Sequence, residues 1–139
     1  MNVITIVDDD NGLLFHHRRL SQDRLLRDYI LHMIGDRRLW MNDYGSRLYG
    51  EHPNIVVSES YLTACPAEDY CLVEEVDPAT IVDRIDRLYL FHWNRLYPSD
   101  LQCTLCLEHW TLEHTDELKG SSHKKITLEV YKKHRGKQS

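Results

Sequence analysis

The sequence lacks any long apolar run. Nowhere in its 139 residues are there the roughly 20 consecutive apolar residues that a membrane-spanning helix needs. Met1 leads directly into a short apolar stretch at residues 3–7, without the basic flank and longer apolar region of a signal peptide. We therefore expect a cytoplasmic protein with no membrane partner, in which Cys65, Cys71, Cys103 and Cys106 are reduced thiols.

An excess of positive charge is also missing. The chain has 17 Lys and Arg against 22 Asp and Glu, which gives a formal net charge of -5. A general nucleic-acid-binding protein needs a basic surface to neutralise phosphates, so we expect no nucleic-acid partner. Basic residues concentrate locally at 16–19 and 132–137, and a basic chain end is typically a solvated segment.

Repeats, low-complexity segments and linkers are absent as well, so residues 1–139 are predicted to form a single domain. Short apolar or alternating stretches between turn residues predict strands. They lie at residues 3–7, 39–41, 54–58, 70–73, 87–93, 110–114 and 126–131. Helical stretches alternate with the early strands, and the late strands follow one another, so the pattern predicts an α/β fold with an antiparallel end.

One longer helix is expected between Ser21, a suitable N-cap, and Gly35, a suitable terminator. Apolar residues recur there at helical spacing, namely Leu25, Leu26, Tyr29, Ile30 and Met33. Shorter helices are predicted within residues 42–50 and 78–82, the latter because Pro78 suits a first helical turn.

The stretch Arg-Leu-Tyr-Leu-Phe-His-Trp at residues 87–93 and the tail at 121–131, which alternates from Ile126, resemble the last strands of dihydrofolate reductase. Residues 20–23, 39–48, 54–58 and 70–76 are similar, in the same order, to further stretches of that family. The resemblance implies a dihydrofolate reductase-like, mainly parallel sheet with flanking helices and an antiparallel C-terminal hairpin. A strand and a helix of the cofactor half are expected to be missing between Ser58 and Tyr70.

Several family positions carry different residues here. Glu74 and Glu75 stand where the family has a Gly-Gly pair that lets the backbone approach the cofactor pyrophosphate. Asn42 and Asp43 replace a Gly-Arg pair whose Arg binds cofactor phosphate, and Arg18 replaces a Trp beside the substrate. Acids facing phosphates reverse the sign of the interaction, so we expect no cofactor.

The family's pterin-holding acid corresponds to Asp23, and the resemblance implies a pocket between the loop at 11–23, the helix from Ser21 and the strand at Leu88. The predicted ligand-binding residues are Asp23, Arg18, Arg19, Leu14, Phe15, Leu26 and Phe91. An acid at a helix start also simply complements the helix dipole, and the basic residues also suit a solvated face.

The leading hypothesis is therefore a non-catalytic or repurposed protein that binds a small molecule, a heterocycle or a nucleotide. A divergent NAD(P)H-dependent reductase is one alternative. The other is an interaction module, in which the missing cofactor half exposes an apolar groove for a partner or for a second copy in a homodimer.

Cys103-x-x-Cys106-x-x-His109, followed by His114, has ligand types and spacing that zinc could use. The segment leads into a predicted strand, where alternate residues point to opposite faces, so no metal is predicted. Residues 18–24 and 93–100 are also similar to small bacterial proteins labelled ribonuclease Z. The chain lacks the H-x-H-x-D-H motif that builds the zinc site of true ribonuclease Z.

Overall fold

A computed structural model describes residues 1–8, 12–15, 18–19, 24–50, 52–93, 101–120 and 125–133. At residues 12–15, 18–19 and 101–102 it describes the backbone alone. In chain order its elements are β1 (Asn2–Val7), β2 (Gly12–Phe15), β3 (Arg18–Arg19), α1 (Arg24–Ile34), β4 (Leu39–Met41), α2 (Asp43–Tyr49), β5 (Ile55–Val57), α3 (Tyr61–Ala64), β6 (Tyr70–Leu72), a 3-10 helix (Pro78–Arg84), β7 (Arg87–His92), β8 (Leu101–Gln102), β9 (Trp110–Leu118) and β10 (Ile126–Lys133).

Seven strands form one sheet in the order β5-β4-β6-β1-β7-β10-β9. The first five are parallel, whereas β10 pairs antiparallel with both β7 and β9. This arrangement confirms the predicted α/β fold, a mainly parallel sheet that ends in an antiparallel hairpin. Between β5 and β6 the chain forms only the single-turn helix α3.

A second, three-stranded sheet has the order β3-β2-β8, and the sequence analysis did not predict it. Leu14 pairs with Arg19 and Phe15 with Arg18, while Gly12 pairs with the distant Gln102. Two-residue strands are too short to show an alternating pattern, and β8 lies far from β2 along the chain. No local signal was therefore available.

Helix α1 confirms the predicted helix, but the residues that it buries differ in part from the predicted apolar set. Its buried residues are Leu26, Ile30 and Ile34, whereas Leu25 is 37% exposed. Successive helical residues are about 100° apart, so Leu25 and Leu26 cannot both point at the sheet. Gly35 follows the helix with φ 58°, a conformation that favours glycine. The predicted start at Ser21 lies outside the described residues.

The C-terminal hairpin is longer than predicted, since β9 runs to Leu118 and β10 to Lys133. Seven consecutive residues of β9 are exposed, so polar side chains occupy both of its faces and leave no alternation to detect. The helix predicted from Pro78 is 3-10 in type, with Asp77 as its N-cap, and a kink at Ile81 divides the segment before it ends at Arg84.

The sheet separates two apolar clusters. On the first face, residues of α1 pack on the sheet residues Ile4, Ile6, Phe91 and Leu128. On the second face, the cluster contains Val3, Val7, Leu88 and Leu90 together with residues of α3, the 3-10 helix end and segment 103–107. No described helix is long and apolar enough to cross a membrane.

Truncating Ile30 to Ala should test the first cluster, because Ile30 is fully buried between α1 and the sheet. Removal of its side chain should cost roughly 2–5 kcal/mol of unfolding free energy, measured by urea denaturation. Leu25→Ala on the same helix is the matched control and should change stability by about 0.5 kcal/mol or less. Equal losses in the two variants would contradict the orientation of α1.

Candidate functional site

The carboxyl edge of the parallel strands contains a switch point between β4 and β6. From β4 the chain continues outward to β5, whereas from β6 it continues in the opposite direction to β7. Ligands of open α/β sheets bind in the crevice that such diverging connections leave at the carboxyl ends of the strands. We refer to the crevice between β4 and β6 as the switch crevice.

Glutamate side chains of the protein itself accept hydrogen bonds at the switch crevice. Asn42 Oδ1 caps α2 by accepting the Gly45 N–H at 2.7 Å, and Asn42 Nδ2 donates to Glu75 Oε1 at 2.5 Å. Glu59 Oε2 accepts the backbone N–H of Asp43 at 2.8 Å. Because a helix start carries partial positive charge, it favours anions. Here glutamate side chains meet that preference.

The neighbouring Glu74 is buried, with 6% of its surface exposed. Tyr61 lies close enough to these acids for them to contribute to its pKa. Burial, the nearby Cys71 thiol and then Glu75, Glu74 and Glu59 together raise the pKa of Tyr61 to about 12. The switch crevice is therefore acidic, and it does not fit the pyrophosphate of a nicotinamide cofactor, since phosphates would meet like charges.

A second pair of diverging connections lies between β1 and β7. From β1 the main sheet continues at β4 on one side, whereas from β7 it continues at β9 on the opposite side. We call this the central crevice. Asp8 stands there directly after β1 and is 2% exposed, and the Trp93 N–H donates to the Val7 carbonyl at 2.9 Å. Asp8 was not among the predicted site residues. Its position at the end of a buried strand was the signal that could have found it.

The predicted ligand-binding residues fall into three groups. Leu26 and Phe91 are both fully buried and belong to the same apolar cluster on the first face. Leu14 and Phe15 in β2 pair with Arg19 and Arg18 in β3, as judged from the backbone. Asp23, the central residue of the hypothesis, lies outside the described residues.

The potential zinc ligands are spread along the chain between segment 103–107 and β9. Cys103 is half-buried against the second face, where burial raises the pKa of its thiol. Cys106, His109 and His114 are exposed. Within the described ranges, no three His, Cys, Asp or Glu residues come together as a metal site.

Comparison with known proteins identifies the fold. No protein-family model and no curated protein matches the sequence. Among solved structures, the chain is similar to dihydrofolate reductase from Enterococcus faecalis complexed with NADP(H) and RAB-propyl. The TM-score is 0.64, with 94% of each chain covered and 10% sequence identity. The chain therefore has a dihydrofolate reductase-like fold, as its sequence resemblance implied, whereas the resemblance to ribonuclease Z is not supported.

The acidic character of the switch crevice is testable through Tyr61. The ultraviolet titration curve of the native protein, after subtraction of the curve of Tyr61→Phe, should show the ionisation of Tyr61 near pH 12. Glu75→Gln should lower that pKa toward the ordinary value of 10, whereas Glu68→Gln, at a distant exposed acid, should not. Because the folded pKa is raised, the neutral phenol stabilises the folded state fully below pH 10, and this contribution falls as the pH rises through about 12. Because burial by itself also raises the pKa of Tyr61, a Tyr61 pKa that does not change in Glu75→Gln would contradict an acidic crevice.

Proposed function

We propose that this dihydrofolate reductase-like protein binds a small heterocyclic or nucleotide-like molecule and does not catalyse NAD(P)H-dependent reduction. The observation that carries the proposal is the pair of internal carboxylate bonds at the start of α2, from Glu59 to the Asp43 N–H and from Glu75 to Asn42. Hydride transfer requires a bound nicotinamide cofactor, and this part of the fold is unsuited to its phosphates.

The size of the electrostatic effect supports this proposal. Two like charges about 4 Å apart repel by on the order of 4 kcal/mol at the effective dielectric of a protein surface. A micromolar complex has only about 8 kcal/mol of binding free energy in total. One or two uncompensated contacts between phosphate and glutamate would therefore remove most of the affinity.

The ligand pocket is proposed at the central crevice. Leu26 and Phe91 are fully buried in the first apolar cluster, so a ligand reaches them only if the packing opens, and Tyr29 packs edge-on against Phe91, with ring centroids 5.9 Å apart. Asp23 is assigned to the pocket from the family resemblance. Its carboxylate would accept paired N–H groups of an amino-heterocycle, a charge-assisted interaction that a neutral side chain does not match.

The groove beside β5 favours the interaction-module alternative. It has a volume of about 640 Å³ and is lined in part by Pro53, Ile55 and Val57, of which Val57 is 49% exposed. A dimer in solution that dissociates on Val57→Glu would support that alternative. A monomer that retains a small molecule through purification would support the pocket.

NADPH should not bind the protein with micromolar affinity. Calorimetric titration at low salt is the fair measurement, because electrostatic interactions are least screened there. The Enterococcus faecalis enzyme, solved with NADP(H), is the positive control. Micromolar binding of NADPH, or turnover of dihydrofolate, would instead support the divergent reductase.

Asp23→Asn should weaken binding of a ligand retained by the native protein, or of an aminopteridine probe, by about tenfold to hundredfold. The expected loss is roughly 1.5–3 kcal/mol, the worth of one charge-assisted hydrogen bond. Asp28→Asn is the matched control, since Asp28 is an exposed acid in α1. Native mass spectrometry and calorimetry measure both variants. Unchanged affinity in Asp23→Asn would leave Asp23 as an acid that only complements the helix start.

A further inference from the structure

A polar cleft of about 640 Å³ lies at the amino edge of the parallel strands, opposite the two crevices described above. Its lining includes Asn2, Tyr70, Arg87, Tyr89, Lys132 and Arg37. The first five belong to the ends of four neighbouring sheet strands, β6, β1, β7 and β10, whereas Arg37 follows α1. We call it the basal cleft.

Sheet register aligns the residues of the basal cleft. Asn2 is the partner of Tyr70 on one side and of Arg87 on the other, and Arg87 is the partner of Lys132. Directly paired residues project from the same face of a sheet, so these four side chains form one row. Residues distant along the chain thus meet on rigid strands rather than on loops.

The row places two cations side by side. Arg87 and Lys132 are directly opposite each other on antiparallel strands, an arrangement that is destabilising without a counter-ion. Glu113 supplies one partial counter-charge, since its Oε1 accepts from Arg87 Nε at 2.8 Å. The carboxylate of Asp86, also at the cleft, pairs with the Met1 amino group at 2.7 Å.

A further cation faces the same space. Arg37 stands at the rim, where its guanidinium donates to the Glu68 carbonyl at 3.3 Å. Lys133 also belongs to the lining, but its ammonium group donates to the Val82 carbonyl at 2.6 Å. The described lining thus contains Arg37, Arg87, Lys132 and Lys133 against Glu68 and Asp86, an excess of cations in a chain whose formal net charge is -5. Such a reversal of local charge favours an anionic occupant.

Two tyrosines provide an aromatic wall. The rings of Tyr70 and Tyr89 are 5.3 Å apart at 64°, and both pack beside the first apolar cluster. Burial and a hydrogen bond with Tyr70 raise the pKa of Tyr89, so its phenol stays neutral at physiological pH. Neutral phenols offer ring surface and hydroxyl groups to a ligand without repelling an anion.

We propose that the basal cleft binds a small organic phosphate of nucleotide size. The phosphate contacts Arg87 and Lys132, with Arg37 at the rim, and the organic part lies against Tyr70 and Tyr89. Guanidinium groups bind phosphate oxygens through paired hydrogen bonds, and the cleft volume falls in the range of roughly 300–1,000 Å³ usual for small-molecule sites. A phosphate also relieves the repulsion between the paired cations.

Adenosine monophosphate is the probe, titrated calorimetrically at low salt with adenosine as the comparison that lacks phosphate. Arg87→Gln and Lys132→Gln should each weaken binding about tenfold, the effect of one lost charge-assisted contact. Arg47→Gln and Lys125→Gln are matched controls, because each removes one exposed cation that pairs with an acid elsewhere. The controls change the net charge equally and should leave the affinity unchanged.

Two further variants decide where the phosphate binds. A chain without residues 134–139 should keep its affinity, because the proposal assigns the phosphate to Arg87 and Lys132, and Asp23→Asn should also keep it. Equal weakening in all four charge variants, loss in the shortened chain, or undiminished binding of adenosine would overturn the proposal. So would binding that depends on Asp23 but not on Arg87.

Arg87→Lys, which keeps the charge and loses the paired geometry, should give intermediate affinity if the variants remain folded by circular dichroism.

Discussion

The structure depends on the parallel pairing of β1 with β6 and β7. Ile4 and Ile6 point to one face of this strand and Val3 and Val7 to the other, and all four are at most 2% exposed. Burial on both faces is typical of a central parallel strand and explains its continuous apolar sequence. The carboxyl end of β1 borders the central crevice, and its amino end borders the basal cleft.

The two edges of this sheet have opposite electrostatic character. At the carboxyl edge, Glu59 and Glu75 bond at the start of α2, Glu74 is buried next to Glu75, and Asp8 is buried at the end of β1. At the amino edge, Arg87, Lys132 and Arg37 line a cleft. The carboxyl edge is where α/β folds generally hold phosphates. In this chain the charges suited to a phosphate stand at the other edge, so the fold by itself is a poor guide to the ligand.

Much of the main sheet was predictable from local pattern. The apolar stretches of β1 and β7, the helical spacing in α1 and the alternation in β10 each reflect burial of one or both faces. The small sheet and the charged length of β9 were not predicted, because their strands are stabilised by pairing with distant segments rather than by their own apolar pattern. The local sequence also does not predict which of the neighbouring residues Leu25 and Leu26 is buried, because both are leucine.

The sequence by itself determined the α/β class and the order of the main strands, because hydrophobic periodicity is a local property that burial selects. It also located Asn42 and the acids Asp43, Glu74 and Glu75, since the family resemblance aligned them with cofactor-binding positions. Only the tertiary structure decided that Glu59 joins those acids, and that Asn2, Tyr70, Arg87 and Lys132 form one row. The physical reason is that sheet register acts between residues far apart in the chain, and no local pattern records which of them become neighbours.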